Sequence, residues 1–459
     1  MTRLVKRTVS TAVTATLLAA SLAVAAPAST ATPRIAARQA TNAMDEFRSW
    51  MSAHPDVIIE RGWVEEERAF RPDGGTGPGP ASIVLYTLAA TTGNPEYLRI
   101  ADALVDQELQ DLAQTIEKLG LQQITADVRA LLASWDPSQG TIEELKAAIM
   151  EIVSAGLENG IEQVFADDQW WYAVIGLPVL ISGMDHYSGD PAVRARCEHL
   201  IEPIAAILSA ALLANPDAVQ EALDAAGIDY SVEVVGSQVA KYDALIAPAG
   251  GNAIFRALAC KLADLMQARL WSAEENRYTG GTWDLPQLFE ALGYAYEIQR
   301  NDTYPQRIQD TLAWLEANGE WNQWTDPADG ATVGVYDKWV DGSRYGYPGT
   351  MVMDAYLSPV QLFLGASAKW VQQLRRSPNE SDRAFAQSLL DRAIYMFRFC
   401  ERVMLNPDNA IMDHDVILHQ DDLTVTNRNR WECTIGCMQC NWSVVRSFLF
   451  LDALLRQTV

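Results

Sequence analysis

Positive charge is scarce in this sequence. Among its 459 residues, 35 Lys and Arg residues oppose 59 Asp and Glu residues, so the formal net charge is −24. A chain this acidic repels phosphate backbones and anionic lipid headgroups. We therefore expect no nucleic-acid partner and no membrane partner. A neutral oligo- or polysaccharide suits the charge better than a polyanion does, and we expect a monomer.

Strand-like alternation of apolar and polar residues is also scarce. It is confined to two short stretches, 232–235 and 332–336, whereas apolar residues recur at helical spacing through most of the chain. The clearest helical segments are 81–90, 97–109, 170–180, 253–265, 288–298, 307–315 and 384–404. The sequence therefore predicts an all-α protein.

Long apolar runs are few, and the first one has the features of an export signal. Arg3, Lys6 and Arg7 give a basic start, and residues 11–25 are small and apolar. A small-x-small cleavage pattern closes this run, so residues 1–31 are predicted to be a cleaved signal peptide of a secreted protein. After it, no stretch is expected to reach the roughly 20 apolar residues that span a bilayer.

The remaining chain is predicted to be one domain. Residues 32–44 are expected to be disordered, and no low-complexity linker interrupts residues 45–459. Residues 110–160 have the pattern of an inserted helical pair. Long irregular stretches, at 73–80, 321–350 and 406–430, are typical of functional loops.

A weak internal repeat indicates how the helices are arranged. Residues 88–97, 184–191 and 296–304 each end one helix with a polar turn and begin another. In the first copy, Gly93 suits the left-handed position after a helix, and Asn94 can cap the next one. Such helical hairpins must stack, either as an open solenoid or as a closed ring. A double ring of about six hairpins, the (α/α)6 toroid, fits the length.

The most prominent candidate for catalysis is the run Asp167-Asp168-Gln169-Trp170-Trp171 at the start of an apolar helix. A helix N-terminus stabilises negative charge, and adjacent carboxylates raise each other's pKa. One acid can then stay protonated while the other ionises, which is the division that glycoside hydrolysis needs. The adjacent Trp170 and Trp171 could stack on sugar rings. A helix cap followed by two core tryptophans explains the same residues without any chemistry.

The Asp-Asp-x-Trp-Trp pattern resembles the catalytic motif of family 76 glycoside hydrolases, the α-1,6-mannanases. The segment 251–259, with Asn252-Ala253-Ile254, is similar to a second helix start of that family. The resemblance covers about residues 80–315 and implies an (α/α)6 toroid. It also implies that Asp167 and Asp168 share the acid and nucleophile roles.

Further candidates lie in Trp- and Tyr-rich loops. The sequence contains 14 Trp and 15 Tyr residues, which can stack on sugars or fill a helical core. Asp284 is a reserve candidate for a catalytic or sugar-binding carboxylate, with a helix cap as the alternative. Tyr345 is a reserve catalytic residue. The predicted substrate-binding residues outside the motif are Trp283, Trp339, Arg344 and Tyr347.

A dense polar cluster follows near the C-terminus. Asp413, His414 and Asp415 could hold a divalent metal, although their spacing matches no familiar ligand pattern, and no cofactor is the leading expectation. His414 could instead be the acid or base of a lyase. A surface position with no chemistry is the remaining alternative.

Three of the six cysteines, Cys433, Cys437 and Cys440, are spaced to share one helix face. Buried thiols, or one or two disulfides, suit an oxidising compartment. The segment 437–441 is also similar to a Gln-Cys-Asn segment of linalool dehydratase-isomerase, an exported toroid enzyme with active-site cysteines. That resemblance makes Cys440 a reserve catalytic residue for thiol-based alkene chemistry.

Three functions remain open at this point. The leading one is a glycoside hydrolase that uses Asp167 and Asp168. The second is a polysaccharide lyase or dehydratase-isomerase on the same fold, centred on His414, Tyr345 or Cys440. The third is a glycan-binding protein without catalysis, in which the Trp-rich loops form the site.

Overall fold

A computed structural model describes residues 31–70, 80–157, 191–228, 230–246, 253–426, 428 and 437–457. Side-chain surroundings are described from residue 44 onward, apart from residues 191, 193 and 194. Most of the described residues are in α-helices, so the all-α class is confirmed at that level. The helices are α1 (Ala31–Gly62), α2 (Ala81–Thr92), α3 (Pro95–Lys118), α4 (Gln122–Ser134), α5 (Ile142–Gly156), α6 (Pro191–Ala214), α7 (Pro216–Ala226), α8 (Val232–Ile246), α9 (Ala253–Leu270), α10 (Asp284–Gln299), α11 (Thr303–Ala317), α12 (Leu357–Leu374), α13 (Glu380–Phe399) and α14 (Met438–Arg456).

The described strands form three two-stranded ribbons and one antiparallel four-stranded sheet. They are β1 (Trp63–Val64), β2 (Ala69–Phe70), β3 (Trp271–Ser272), β4 (Arg277–Tyr278), β5 (Trp321–Thr325), β6 (Thr332–Tyr336), β7 (Trp339–Asp341), β8 (Met351–Tyr356), β9 (Asp415–His419) and β10 (Val425–Thr426). The larger sheet has the order β10-β9-β8-β7, and it was not predicted from the sequence.

Several segments differ from the sequence-based prediction. The stretch 232–235, predicted as a strand, is the first turn of α8, whereas 332–336 is the strand β6 as predicted. Residues 32–44, expected to be disordered, belong to α1. The stretch 110–160 contains α4 and α5, and both helices pack against α6.

The turn between α2 and α3 has the predicted chemistry. Gly93 ends α2 with φ of 72°, a left-handed conformation that glycine adopts without strain. The side chain of Asn94 accepts a hydrogen bond from the Glu96 amide, and Pro95 occupies the first turn of α3. The third copy of the repeat differs, since Arg300 takes the left-handed position and Asn301 accepts the bond from the Thr303 amide.

Five helices pack side by side in one continuous series. Helix α8 contacts α10, α10 contacts α12, α12 contacts α14, and α14 contacts α2. Helices α11, α13, α1 and α3 each pack against one member of this series, and α9 packs against both α8 and α10. The series therefore forms an inner layer of helices, and the second set of helices lies beside it.

Four of the inner helices, α8, α10, α12 and α14, run parallel, which places their N-termini at one end. Ser231, just before α8, donates a hydrogen bond to Asp284 at the start of α10 (3.4 Å). Ser358 in the first turn of α12 contacts the sulfur of Cys440 in the first turn of α14 (3.2 Å). Strand β8 leads directly into α12, so the four-stranded sheet lies at this same end.

One helical stretch is apolar enough to cross a membrane by length and composition. The window Ala195–Ala214 has a mean hydropathy of 1.5, which the sequence analysis did not anticipate after the N-terminal run. Within the structure, 67% of this window is buried. Burial of this kind is typical of a core helix in a soluble protein, which passes the same compositional test.

A buried histidine joins α1 to the start of α14. The Nε2 atom of His54 lies 2.7 Å from Oδ1 of Asn441, and that oxygen also accepts a bond from the Met412 amide (3.0 Å). The amide group of Asn441 donates to the carbonyl of Cys437 (2.7 Å). Burial lowers the pKa of His54 to about 4, although the bond to Asn441 opposes this shift.

Acid should therefore destabilise the protein through His54. A histidine with a pKa of about 4 in the folded state and about 6.5 in the unfolded state binds fewer protons when folded. Above the pKa of the unfolded state, His54 does not lower the free energy of unfolding. As the pH falls from there toward the pKa of the folded state, the free energy of unfolding decreases progressively. At a pH of about 5, His54→Gln should reduce the acid-induced loss of unfolding free energy by about 2 kcal/mol. Denaturant unfolding at neutral and acidic pH measures this, and parallel losses in both proteins would contradict it.

Candidate active site

The four-stranded sheet places polar side chains on one face. In the pairing of β8 with β9, Asp354 is opposite Ile417 and Tyr356 is opposite Asp415. Residues two apart in a strand, and residues directly opposite in a pair, share a face of the sheet. Asp354, Tyr356 and Asp415 therefore lie on the same face. We call these three residues, with Tyr345 and His414, the sheet-face cluster.

Tyr345 and Asp354 form a hydrogen-bonded pair. The phenol of Tyr345 donates to Oδ2 of Asp354 at 2.6 Å, and both side chains are partly buried. Burial and this hydrogen bond raise the pKa of Tyr345 to about 12. The phenol thus stays protonated near neutral pH, where it can donate a hydrogen bond. Arg344 stacks on its ring, with the guanidinium carbon 4.6 Å from the ring centre.

His414 and Asp415 form the second pair of the cluster. The Nδ1 atom of His414 lies 3.2 Å from Oδ1 of Asp415, and both residues are buried. The carbonyl of His414 accepts a hydrogen bond from the Leu357 amide (2.9 Å), which ties this backbone to the start of α12. The ring of Tyr356 meets the imidazole edge-on, with ring centres 5.9 Å apart. A carboxylate that holds an imidazole in one orientation prepares it to act as an acid or base.

Asp337 lies between β6 and β7 and has an unusual pKa. Burial, together with the negative charges of Asp354 and Glu320, raises the pKa of this carboxyl to about 7. A hydrogen bond from the Lys338 amide (2.7 Å) opposes the shift. A carboxyl with a pKa near the working pH is suited to general acid catalysis. Asp337 therefore supplies a carboxyl that can carry a proton near neutral pH.

Asp284 is the first residue of α10, and its side chain binds the turn before the helix and does not cap the helix itself. Its Oδ2 atom accepts a hydrogen bond from the Gly281 amide (3.0 Å), and its Oδ1 atom accepts the bond from Ser231. Burial raises its pKa. The neighbouring Trp283 is partly buried, and its carbonyl accepts a bond from the Gln287 amide group (3.0 Å). These contacts account for Asp284 structurally, while a role in substrate binding stays a prediction.

The other predicted sugar-binding residues lie near the sheet. The hydroxyl of Tyr347 is 3.0 Å from that of Thr426, and its ring meets His419 edge-on at 4.5 Å. Trp339 packs against Trp324, with ring centres 6.1 Å apart. Tyr347 and Trp339 thus have protein partners, and both remain partly exposed.

Cys440 is joined to Cys437 by a disulfide. In this oxidised form it offers no thiolate, so thiol-based chemistry at Cys440 has no support here. The prediction that the cysteines share a helix face was wrong for Cys437, because this residue precedes α14 and its sulfur caps the helix. The described free cysteines, Cys197, Cys260 and Cys400, are buried, and Cys433 lies outside the described residues.

The suggested metal ligands do not converge. Asp413 accepts hydrogen bonds from Arg428 and from Asn406 (3.0 Å), while His414 pairs with Asp415. Among the described residues, no group of three His, Cys, Asp or Glu side chains is arranged to hold a metal ion. The alternative metal site at residues 413–415 therefore gains no support from this part of the chain.

The Asp167-Asp168 pair and the adjacent Trp170 and Trp171 lie outside the described residues. Their proposed catalytic and stacking roles stay predictions. The structure brings together Tyr345 and His414, two of the reserve candidates, on the sheet-face cluster. It adds Asp354, which was missed although it is the single carboxylate in the apolar strand sequence of β8.

The inner helices also carry a buried ionic layer that the sequence analysis missed. Glu290 on α10 lies 3.5 Å from Nζ of Lys241 on α8 and 3.4 Å from a guanidinium nitrogen of Arg446 on α14. All three residues are at most 6% exposed. Burial lowers the pKa of Lys241, and the charge of Glu290 opposes that shift. The signal available in the sequence was a charged residue in the interior of each of three largely apolar helices.

A second ion pair extends this layer toward the C-terminal ends of the helices. Lys369 donates to Glu297 at 2.5 Å, and its Nζ atom lies 3.8 Å above the ring centre of Tyr294. A small cavity of about 10 Å³ adjoins these groups, enough for about one water molecule. Its lining includes Lys369, Tyr294, Arg446 and Gly365. The space between the inner helices is thus polar and charged along much of its length.

No family model, no curated protein and no solved structure matches this chain. The functional argument therefore rests on the arrangement of the residues themselves.

Proposed function

We propose that this protein is a secreted glycoside hydrolase that cleaves a neutral glycan by acid–base catalysis at the sheet end of an (α/α)6 toroid. The observation that carries the proposal is the pair formed by Asp337, whose pKa is raised to about 7, and Asp354, which is bonded to Tyr345. Glycoside hydrolysis needs one carboxyl that donates a proton and a second that acts as base or nucleophile. Asp337 takes the first role and Asp354 the second.

The ring architecture is supported by the series of inner helices. The five helices α8, α10, α12, α14 and α2 make four successive contacts, and each has a second helix as its partner. A sixth hairpin between α2 and α8 would close the series, and the chain between them includes the segment with Asp167 and Asp168. If the helix that the sequence predicts after Asp167 and Asp168 is the inner helix of this hairpin, the two carboxyls would lie at the same end as Asp354. They remain an alternative acid and nucleophile pair.

The neutral substrate and the exported location rest on the sequence. The net charge of −24 disfavours polyanionic glycans, and residues 1–31 have the pattern of a signal peptide. The partly exposed Trp339, Tyr345 and Tyr347 supply aromatic faces beside the sheet, where sugar rings could stack.

A lyase or dehydratase is the second candidate, and the pairing of His414 with Asp415 favours it. An imidazole held by a carboxylate can remove a proton from carbon, and the phenol of Tyr345 can protonate the leaving oxygen. In that case the reaction would form an unsaturated product. No water would enter the product.

The pH dependence of hydrolysis tests the main proposal. Wild-type protein should release reducing ends from neutral glycans, without ultraviolet-absorbing unsaturated products. Because the acid must be protonated, kcat/KM should fall as the pH rises above about 7. Asp337→Asn should remove this alkaline limb together with most of the activity.

Other results would redirect or end the proposal. An alkaline limb that persists in Asp337→Asn would place the acid elsewhere, with Asp167 and Asp168 as the next residues to replace. Unsaturated products would establish the lyase or dehydratase. Binding of glycans without cleavage of any would contradict both enzymatic functions.

A further inference from the structure

Two buried glutamines have side chains with no hydrogen-bond partner. Gln361 lies in the second turn of α12 and Gln439 in the first turn of α14, and each is 1% exposed. Both the nitrogen and the oxygen of each amide group are unpartnered. Buried polar groups in proteins nearly always have partners, and each unsatisfied group is unfavourable. Gln361 and Gln439 are two buried glutamines on neighbouring helices in which both polar atoms of the amide lack a partner.

Both glutamines belong to the inward faces of their helices. Gln361 shares a face of α12 with Gly365 and Lys369, at spacings of four and eight residues. Gln439 shares a face of α14 with Ser443 and Arg446, at spacings of four and seven. Lys369 and Arg446 line the small cavity between the inner helices, so the amides lie toward the sheet end of the same polar interior.

The two helix starts are in contact with each other. Ser358, one turn before Gln361, touches the sulfur of Cys440, which directly follows Gln439 (3.2 Å). The amides are therefore held near the starts of two adjacent helices, at the end of the protein that carries the sheet-face cluster. One turn after Gln361, a Cβ at Gly365 would be in van der Waals contact with the Glu290 carboxylate (3.6 Å), so α12 packs closely on α10 there.

Carboxamides also come from the other inner helices at this level. Gln238 on α8 donates to Gln287 on α10, and both are buried. A carboxamide carries donors and acceptors without net charge. It therefore complements a hydroxyl group, which also donates and accepts, better than it complements an anion or a cation.

We propose that Gln361 and Gln439 determine specificity by binding hydroxyl groups of a neutral carbohydrate. The identification of the ligand as a glycan rests on the proposed function. In this arrangement each amide accepts a bond from one hydroxyl and donates a bond to another. The sheet-face cluster lies at the same end, so the sugar that the amides hold is the one presented to Asp337 and Asp354.

Replacement by methionine separates this role from a structural one. Gln361→Met and Gln439→Met keep the length of the side chain but remove the polar atoms. Each variant should unfold at the same temperature as wild type or a higher one, because buried unsatisfied groups are removed. Each should also bind sugar about tenfold more weakly or worse, because a hydrogen-bonded pair is lost. Gln387→Met, at a glutamine bonded to Asp391 on α13, is the matched control and should change neither quantity.

The measurement is calorimetric titration of the full-length protein with methyl α-mannoside, methyl β-glucoside and 1,6-linked mannobiose. Thermal unfolding without sugar is recorded for each variant. Gln361→Asn and Gln439→Asn keep the amide group but shorten the side chain, which moves the amide away from the sugar. They provide a second series if a methionine variant does not fold. They should also bind more weakly.

The outcomes separate this inference from the proposed function. Unchanged affinity in folded variants, or no binding of any of the three sugars by wild type, would overturn the role of the glutamines. Hydrolysis that depends on Asp337 in variants with unchanged KM would retain the proposed function and reject this inference. If the variants lose sugar binding and the wild type hydrolyses no glycan, this inference would be retained and the proposed function rejected.

Discussion

Glu290→Gln is expected to lower the free energy of unfolding by about 3–5 kcal/mol. Glu290 is 1% exposed and is the shared partner of the buried cations Lys241 and Arg446. Removing the carboxylate leaves positive charge in the interior with less compensation, and desolvated charge without a partner is strongly unfavourable. Denaturant unfolding monitored by circular dichroism would report the loss as a lower midpoint.

Two control variants test whether charge is the cause. Glu316→Gln removes an equivalent carboxylate from an exposed pair with Arg392, and this should cost at most about 1 kcal/mol. Lys241→Met keeps the pair of Glu290 with Arg446, so it should cost much less than Glu290→Gln. If Glu290→Gln is no more harmful than Glu316→Gln, the interior layer does not depend on ionic pairing.

The buried polar groups explain which helices the sequence revealed. Helix α10 was predicted from its apolar periodicity, and so were α9 and α11. Helices α12 and α14 were not singled out; Gln361, Lys369 and Gln439 occupy inward positions there that would be apolar in an ordinary amphipathic helix, whereas in α10 the apolar period remained clear despite Glu290. Polar residues on a buried face weaken the periodic signal, and they are also the residues of functional interest.

The strands were harder to predict for a different reason. Val232 begins a short run rich in valine, which is compatible with a strand or a buried helix, and tertiary packing decides in favour of α8. Strand β8 pairs with β9, about 60 residues later in the chain, and no local pattern specifies that partner. The sheet therefore could not be assembled from the sequence.

The sequence predicted individual residues of the candidate site but not how they pair. Tyr345 and His414 were chosen because of their residue types in long loops, and both lie in the sheet-face cluster. Their partners could not be assigned, because Asp354 pairs with Tyr345 across a turn and a strand. The raised pKa of Asp337 depends on burial and on neighbouring charges, neither of which is visible in the sequence. The roles of Asp167 and Asp168 stay predictions.

Asp354→Asn is expected to reduce kcat/KM for glycan hydrolysis by about 10²–10⁴-fold. The substitution keeps the size of the side chain and can still accept a hydrogen bond from Tyr345, which now lies at 2.6 Å. It removes the negative charge that the base or nucleophile requires. Asp341→Asn, at an exposed aspartate that caps the turn after β7, is the control and should leave the rate unchanged.

The residual activity of Asp354→Asn should also show a shifted pH profile. The charge of Asp354 contributes to the raised pKa of Asp337. Without that charge the ionised form of Asp337 becomes less unfavourable, so its pKa falls and the alkaline limb moves to lower pH. A purely structural role for Asp354 would lower the rate without moving this limb. A reduced rate with an unshifted alkaline limb would therefore show that Asp354 does not influence the pKa of Asp337. An unchanged rate would show that Asp354 takes no part in catalysis.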